Sequence, residues 1–237
     1  FETFCRHKAL EKAILDSTDL LEQHDYGSVE NLIKEASAVG LVSDFGIEYY
    51  ENPKERLQWI KDQAGGISTG WKKFDQKLFG GLNRGELTVF AGGSGAGKSL
   101  FMCHFAAANM LAGKNVLYIT VEMAEERIAQ RIDANLLNIP IAELEGFPKK
   151  IYDDKINKLR LKTGGKLIVK EYPTATAGSG HFRHLLNELH LKKNFRPDII
   201  YIDYLNICSS ARLKFGANVN SYSYIKAIAE ELRGLAV

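Results

Sequence analysis

ELTVFAGGSGAGKSLFMCHFAAANML, residues 86–111, reads as three pieces in succession. ELTVFA, residues 86–91, has the apolar, β-rich character of a strand. Residues 98–112 read as an apolar helix, stopped by Gly113. Between them Gly92, Gly93, Ser94, Gly95, Ala96, Gly97, Lys98 and Ser99 match the pattern G-x-x-x-x-G-K-[ST]. Glycines let the backbone wrap tightly and aim its N–H groups at phosphate oxygens. The helix that follows adds its positive N-terminal end. In that setting Lys98 neutralises the outer phosphates of ATP and Ser99 ligates the accompanying Mg²⁺.

Outward from this loop the chain alternates strand and helix. NVLYITV (115–121), KLIVKEY (166–172) and DIIYID (198–203) are apolar strand candidates. Helices are predicted from 124 to about 137, near 150–162, over 181–194 and from 222 onward. Apolar β-branched runs alternating with helices mean a parallel sheet covered on both faces. Ahead of this core, residues 4–24 carry Leu10, Ile14, Leu20 and Leu21 at helical spacing. Ser28 is the expected cap of a second helix, VENLIKEASAV, which Gly40 stops. Residues 41–51 read as a linker. In NPKERLQWIKDQAGG, Asn52 is the expected N-cap, Pro53 takes the first turn, Glu55 completes a capping-box-like pair and Gly65 ends the helix. The expected organisation is 1–25, 26–51 and 52–237.

A phosphate loop needs a second Mg²⁺-side carboxylate. Asp203 ends the apolar strand IIYID, where its side chain emerges at the C-terminal edge of the sheet beside the loop. Hydrolysis also needs a group to orient or deprotonate water. Glu122 follows the strand LYITV and faces the same crevice. Glu125 and Glu126 read instead as helix-starting acids favoured by the macrodipole. Arg127 and Arg131 share one helix face at i, i+4, and spacing alone makes either a surface arginine.

Composition sets bounds. The 237 residues are 45% apolar and 25% charged, with a net charge of +2. That mix is ordinary for a globular chain and argues against a general polyanion sponge, while leaving room for a nucleic-acid path confined to a few loops. Cys5, Cys103 and Cys208 have no metal-ligand spacing and read as reduced thiols. No apolar run reaches membrane-span length and the N-terminus lacks a signal-peptide layout, so a cytoplasmic place is expected. The chain begins at Phe1 and ends at Val237, each inside a helical pattern, and reads as part of a longer protein.

GGISTGWKKFDQKLFGGLNRGELTVFAGGSGAGKS resembles the opening of RecA-like P-loop ATPase domains. VLYITVEMAEERIAQRIDAN, IIYIDYLNIC and YIKAIAEELRGLA together resemble the replicative hexameric DNA helicases of the DnaB type, over about residues 28–237. The resemblance implies an α/β RecA-like core, ATP and Mg²⁺ as cofactors, self-association into a hexameric ring, single-stranded DNA as the track, and a primase and a helicase loader as partners. It implies Lys98 and Ser99 at the phosphates and Mg²⁺, Asp203 as the Mg²⁺-side acid, Glu122 as catalytic base, and Arg131 near the γ-phosphate. Residues 1–24 are then the tail of an N-terminal collar and SVENLIKEASAV the linker helix. Family members continue with a strand ending in a sensor glutamine and a strand bearing an arginine finger. The resemblance therefore implies weak ATP hydrolysis by these 237 residues alone.

The family's pore loop falls on NICSSARLKFGANVNS, which is too polar and glycine-bearing for a strand or helix. The resemblance implies phosphate contacts from Arg212 and Lys214 with Asn218 beside them. Phe215 is either a base-stacking ring or a hydrophobic anchor. A second polar loop, PTATAGSG (173–180), precedes a helix whose charges read as an outer face over the sheet, with Leu185, Leu186 and Leu189 inward.

Overall fold

The structure is a computed structural model and describes residues 2–38, 49–63, 66–213 and 220–236. Lys214, Phe215 and Asn218 lie outside the described residues. The chain divides into two compact units, Phe1–Arg56 and Leu57–Val237.

In the first unit α1 (Glu2–Glu22) packs on α2 (Tyr26–Ala38). Small residues make the contact: Ala13, Ser17 and Ala36 are buried. The cap of α2 differs from expectation. Asp25, not Ser28, accepts from the helix start, taking the Ser28 N–H at 3.2 Å and the Ser28 hydroxyl at 2.6 Å. The earlier carboxylate captures the free N–H groups, so the helix begins before Ser28. α3 (Pro53–Gln63) starts at the proline, as expected.

The second unit is built on a parallel sheet in the order β2 (Leu167–Glu171), β1 (Val116–Thr120), β3 (Ile199–Asp203). All five β1 residues are buried, as a central strand covered on both faces must be. Its alternate side chains feed two cores. Val116 and Tyr118 pack with Met102, Cys103, Phe105 and Ala106 of α5 (Lys98–Leu111) and with Ile128 and Ile132 of α6 (Glu125–Leu137). Leu117, Ile119 and Val121 pack with Phe182 and Leu189 of α8 (Ser179–Lys193) and Ile228 and Leu232 of α9 (Ser221–Arg233). Leu185 and Leu186 are half-buried on that side of α8, and its charges face outward. α4 (Lys72–Lys77) and α7 (Lys149–Lys162) complete the set of described α-helices.

Residues 86–91 do not form the expected strand. They join no ladder, and Leu87 and Val89 are exposed. A cavity of about 470 Å³ lies between residues 82–90 and the outer edge of β3, with Leu232, Leu235 and Ala236 also lining it. A strand is a property of a pair of chains about 4.8 Å apart. Across this groove residues 86–91 have no partner at that spacing, so their apolar pattern is unused. The segment is held instead by rings: Phe90 meets Phe101 at 5.2 Å and Phe105 at 5.7 Å between centroids.

The approach to the phosphate loop is tied by Asp75. Its carboxylate accepts from the hydroxyls of Ser68 and Thr69, both at 2.6 Å, and from the Thr69 N–H at 2.8 Å. Asn109 of α5 donates to the Ser68 carbonyl. Ile67 and Leu82 exchange backbone bonds at 2.7 and 2.8 Å, closing the turn below the loop.

Candidate functional site: a phosphate loop facing two strand-end acids

The glycine-rich loop 92–97 runs into α5. Gly95 and Gly97 have φ of 75° and 87°, a region closed to most side chains, and Gly97 is the residue before the helix. This bend lets the loop's N–H groups and the first turn of α5 face one concavity. Lys98 folds back over it, donating to the carbonyls of Gly92 at 3.0 Å and Gly93 at 2.9 Å. Ser99, half-buried, is the next residue of α5.

Asp203 closes β3 and is 2% exposed. Its Oδ2 accepts the Tyr118 hydroxyl at 3.0 Å. It lines the same cavity as Lys98. Thr120 of β1 is in register with Asp203, and the Val121 N–H donates to the Asp203 carbonyl at 2.8 Å. Glu122 is the next residue along and is exposed. The two acids therefore leave one edge of the sheet on adjacent strands, Glu122 open to solvent and Asp203 enclosed. The peptide joining Asp203 to Tyr204 is cis.

Burial pushes the Tyr118 phenol up, and Cys103 and Asp203 beside it push the same way. Burial likewise raises the Cys103 thiol to about 11, so it stays protonated. Glu125 and Glu171 clasp the adjoining edge reciprocally. Glu125 accepts the Glu171 N–H at 3.0 Å, and Glu171 accepts the Glu125 N–H at 3.2 Å.

With Leu100, Cys103, His104 and Asn135, Arg131 lines a second cavity of about 510 Å³ between α5 and α6. Cys103 lies within electrostatic reach of both Arg131 and Asp203. His104 meets the Asn135 amide through Nδ1 at 3.0 Å, and its Nε2 is buried without a partner.

Arg212 does not extend freely. Its Nη2 donates to Glu230 Oε2 at 2.8 Å and to the Ala227 carbonyl at 3.1 Å, and its Nε reaches Glu231 Oε1 at 3.4 Å. Glu231, 8% exposed, also accepts from Ser179, Ser210, and the N–H groups of Ala211 and Arg212. This acidic hub was invisible in the sequence, where Glu231 reads as one more helix surface charge. The loop after β2 is drawn into the same knot, since the Ser209 N–H donates to the Ala177 carbonyl at 2.8 Å.

The geometry can hold a polyphosphate on the loop, with Lys98 against it and the Asp203 carboxylate across the cavity. Among the described residues no three His, Cys, Asp or Glu side chains form a metal cluster. Mg²⁺ takes one or two protein oxygens and completes its shell from phosphate and water. Ser99, in the first turn of α5, and Asp203, at the end of β3, carry oxygens of that kind.

The DnaB-like helicase C-terminal domain profile matches residues 66–237. A DnaB-like replicative helicase of Enterobacteria phage T4 is 41% identical over 216 residues, covering 90% of this chain and 45% of that protein. The replicative DNA helicase DnaB of Helicobacter pylori is 26% identical over 245 residues, covering 98% of this chain and 46% of that protein. The chain thus spans about half the length of the curated relatives it matches. A solved DnaB-like replicative helicase, described with its interactions with primase, superposes with a TM-score of 0.58 at 17% identity, over 99% of this chain and 56% of that one. At that identity the match speaks for the RecA-like α/β fold.

Proposed function

Because the chain belongs to the DnaB-like helicase C-terminal domain family, we propose that it is the ATP-hydrolysing motor of a replicative DNA helicase. The motor works as a ring, hexameric by family likeness, travels on single-stranded DNA and unwinds duplex at the fork. What supports this reading is that Lys98 and Asp203 line one cavity, and that Glu122 follows β1 two residues after the position paired with Asp203.

Lys98 offsets charge on the β- and γ-phosphates, and Ser99 and Asp203 hold Mg²⁺. When bound, Mg²⁺ neutralises charge that builds on the phosphate oxygens. Glu122 orients a water in line with the γ-phosphate and draws off its proton. Arg131 is kept as a catalytic candidate on family likeness. Its guanidinium makes no hydrogen bond among the described residues. Arg212, Lys214 and Asn218 contact DNA from the segment after β3. Residues 1–25 are the tail of a collar domain, 26–51 the linker and 52–237 the motor. A primase and a loader are the expected partners, in the cytoplasm, or in the host's cytoplasm for a phage protein. Among the described residues no helix is long and apolar enough to cross a membrane.

The test is Glu122→Gln in the full-length protein. Nucleotide binding should persist, while DNA-stimulated ATP hydrolysis and strand displacement on a forked duplex fall about 100-fold or more. Near-normal turnover would remove Glu122 as the base. Hydrolysis by the wild type without strand displacement would favour a different DNA-dependent ATPase.

A further inference from the structure

Tyr118 and Tyr201 occupy paired positions on β1 and β3, and both are buried. Their rings stack with centroids 6.1 Å apart at 29°. They share a packing role and differ in where their hydroxyls go. Tyr201 donates to Asn109 of α5 at 2.7 Å and not to Asp203. Tyr118 crosses to the neighbouring strand and donates to Asp203 Oδ2 at 3.0 Å. The ring of Tyr118 sits among Cys103, Phe105 and Ala106, where a phenylalanine would fill the same space. A hydroxyl in such surroundings costs free energy unless it is bonded. Its acceptor among the described residues is Asp203, while the Cys103 thiol donates weakly to it at 4.0 Å. Asp203 Oδ1 has no partner among the described residues.

We propose that Tyr118 is a positioning residue for metal ligation. Its hydroxyl occupies Oδ2 of Asp203, locks the carboxylate plane and leaves Oδ1 as the single oxygen presented to Mg²⁺. The inference rests on the reading of Asp203 as the Mg²⁺-side acid. Without the hydroxyl the carboxylate turns freely about its last bond, and a ligand that has to be ordered on binding binds more weakly. Partners of this kind around metal ligands typically govern affinity by about 10–100-fold.

The experiment is Tyr118→Phe in the full-length protein. Binding of Mn²⁺ in the presence of a non-hydrolysable ATP analogue is followed by electron paramagnetic resonance. Analogue binding in excess chelator is measured in parallel, and melting temperature checks the fold. The expected result is Mn²⁺ affinity about 10-fold weaker with metal-free nucleotide affinity unchanged. Tyr201→Phe, which removes a hydroxyl from the same layer, should leave both affinities unchanged. Unchanged Mn²⁺ affinity in Tyr118→Phe overturns the proposal. So does an equal fall in both affinities, or an equal effect from Tyr201→Phe. Asp203→Asn separates the premise from the inference: if it leaves Mn²⁺ affinity intact, the metal-ligand reading itself is wrong.

Discussion

The carboxylate of Glu231 holds both the backbone and the guanidinium of Arg212. Oε1 accepts the Ser210 hydroxyl at 2.6 Å, the Arg212 N–H at 3.3 Å and Arg212 Nε at 3.4 Å. Oε2 accepts the Ala211 N–H at 2.9 Å and the Ser179 hydroxyl at 3.0 Å. One side chain of α9 thus anchors the start of the segment after β3 and the first turn of α8. Glu231→Ala strands several donors at once and should cost on the order of 3 kcal/mol. Arg212→Ala removes a partner whose ion pair with Glu230 is about half exposed on both sides, and should leave stability nearly unchanged. Urea denaturation of the two variants measures the contrast. Equal effects would mean that Glu231 is only a surface ion-pair partner.

The same hub gives a pH dependence. Burial pushes the Glu231 carboxyl up, but hydrogen bonds from Ala211, Ser210, Ser179 and Arg212 outweigh it and bring it from 4.5 to about 2. A carboxylate with a depressed folded value stabilises fully above its unfolded value, and loses that contribution as pH falls towards the folded one. Its share, on the order of 2–3 kcal/mol, should be present above about pH 4.5 and drain away towards pH 2. Stability measured from pH 6 to pH 2.5 should fall less steeply in Glu231→Gln than in the wild type. Parallel curves would contradict the assignment.

Gly178 carries a second sharp contrast. The chain there runs so close to Ser209 that a Cβ would stand 2.0 Å from the Ser209 carbonyl oxygen. Backbone bonds just before it, from the Ala175 N–H to the Ile207 carbonyl at 3.0 Å and from the Ser209 N–H to the Ala177 carbonyl at 2.8 Å, keep the two segments from parting. Gly178→Ala should therefore destabilise by about 2–3 kcal/mol. Gly180, two residues on in the first turn of α8, has nothing within 4 Å of its Cβ position. Gly180→Ala should be neutral or stabilising by up to about 1 kcal/mol. Thermal melts of both variants decide it.

What was legible in the sequence was local. The loop 92–99 announces itself through eight consecutive residues, and β1, β2 and β3 through apolar runs, of which only β1 is buried throughout. What was not legible depends on partners far along the chain. Residues 86–91 have a strand's pattern, but the pairing edge lies across a cavity from them. Tyr118 looks like core until its hydroxyl is found on a residue 85 positions away. Glu231 gathers Ser179 and Ser210 from 52 and 21 positions away. Arg131 reads from spacing alone as a surface arginine, and only the packing of α6 on α5 shows that it lines a cavity.

Arg212 gives an Nη2 hydrogen to Glu230 at 2.8 Å, and that carboxylate is half exposed. If the arginine contacts single-stranded DNA, the Glu230 charge beside it opposes the phosphate and competes for the guanidinium. Glu230→Gln should tighten single-strand affinity several-fold at low salt, by freeing the guanidinium and removing a nearby negative charge. Arg212→Ala should weaken affinity and flatten the salt slope by about 0.7, the value of one phosphate contact on a single strand. The double variant should match Arg212→Ala in slope, since the competitor matters only while the arginine is present. Fluorescence anisotropy with a labelled oligonucleotide across a salt series measures all three. An unchanged slope in Arg212→Ala would make the Arg212–Glu230 pair a structural tie and leave the DNA contact to other residues.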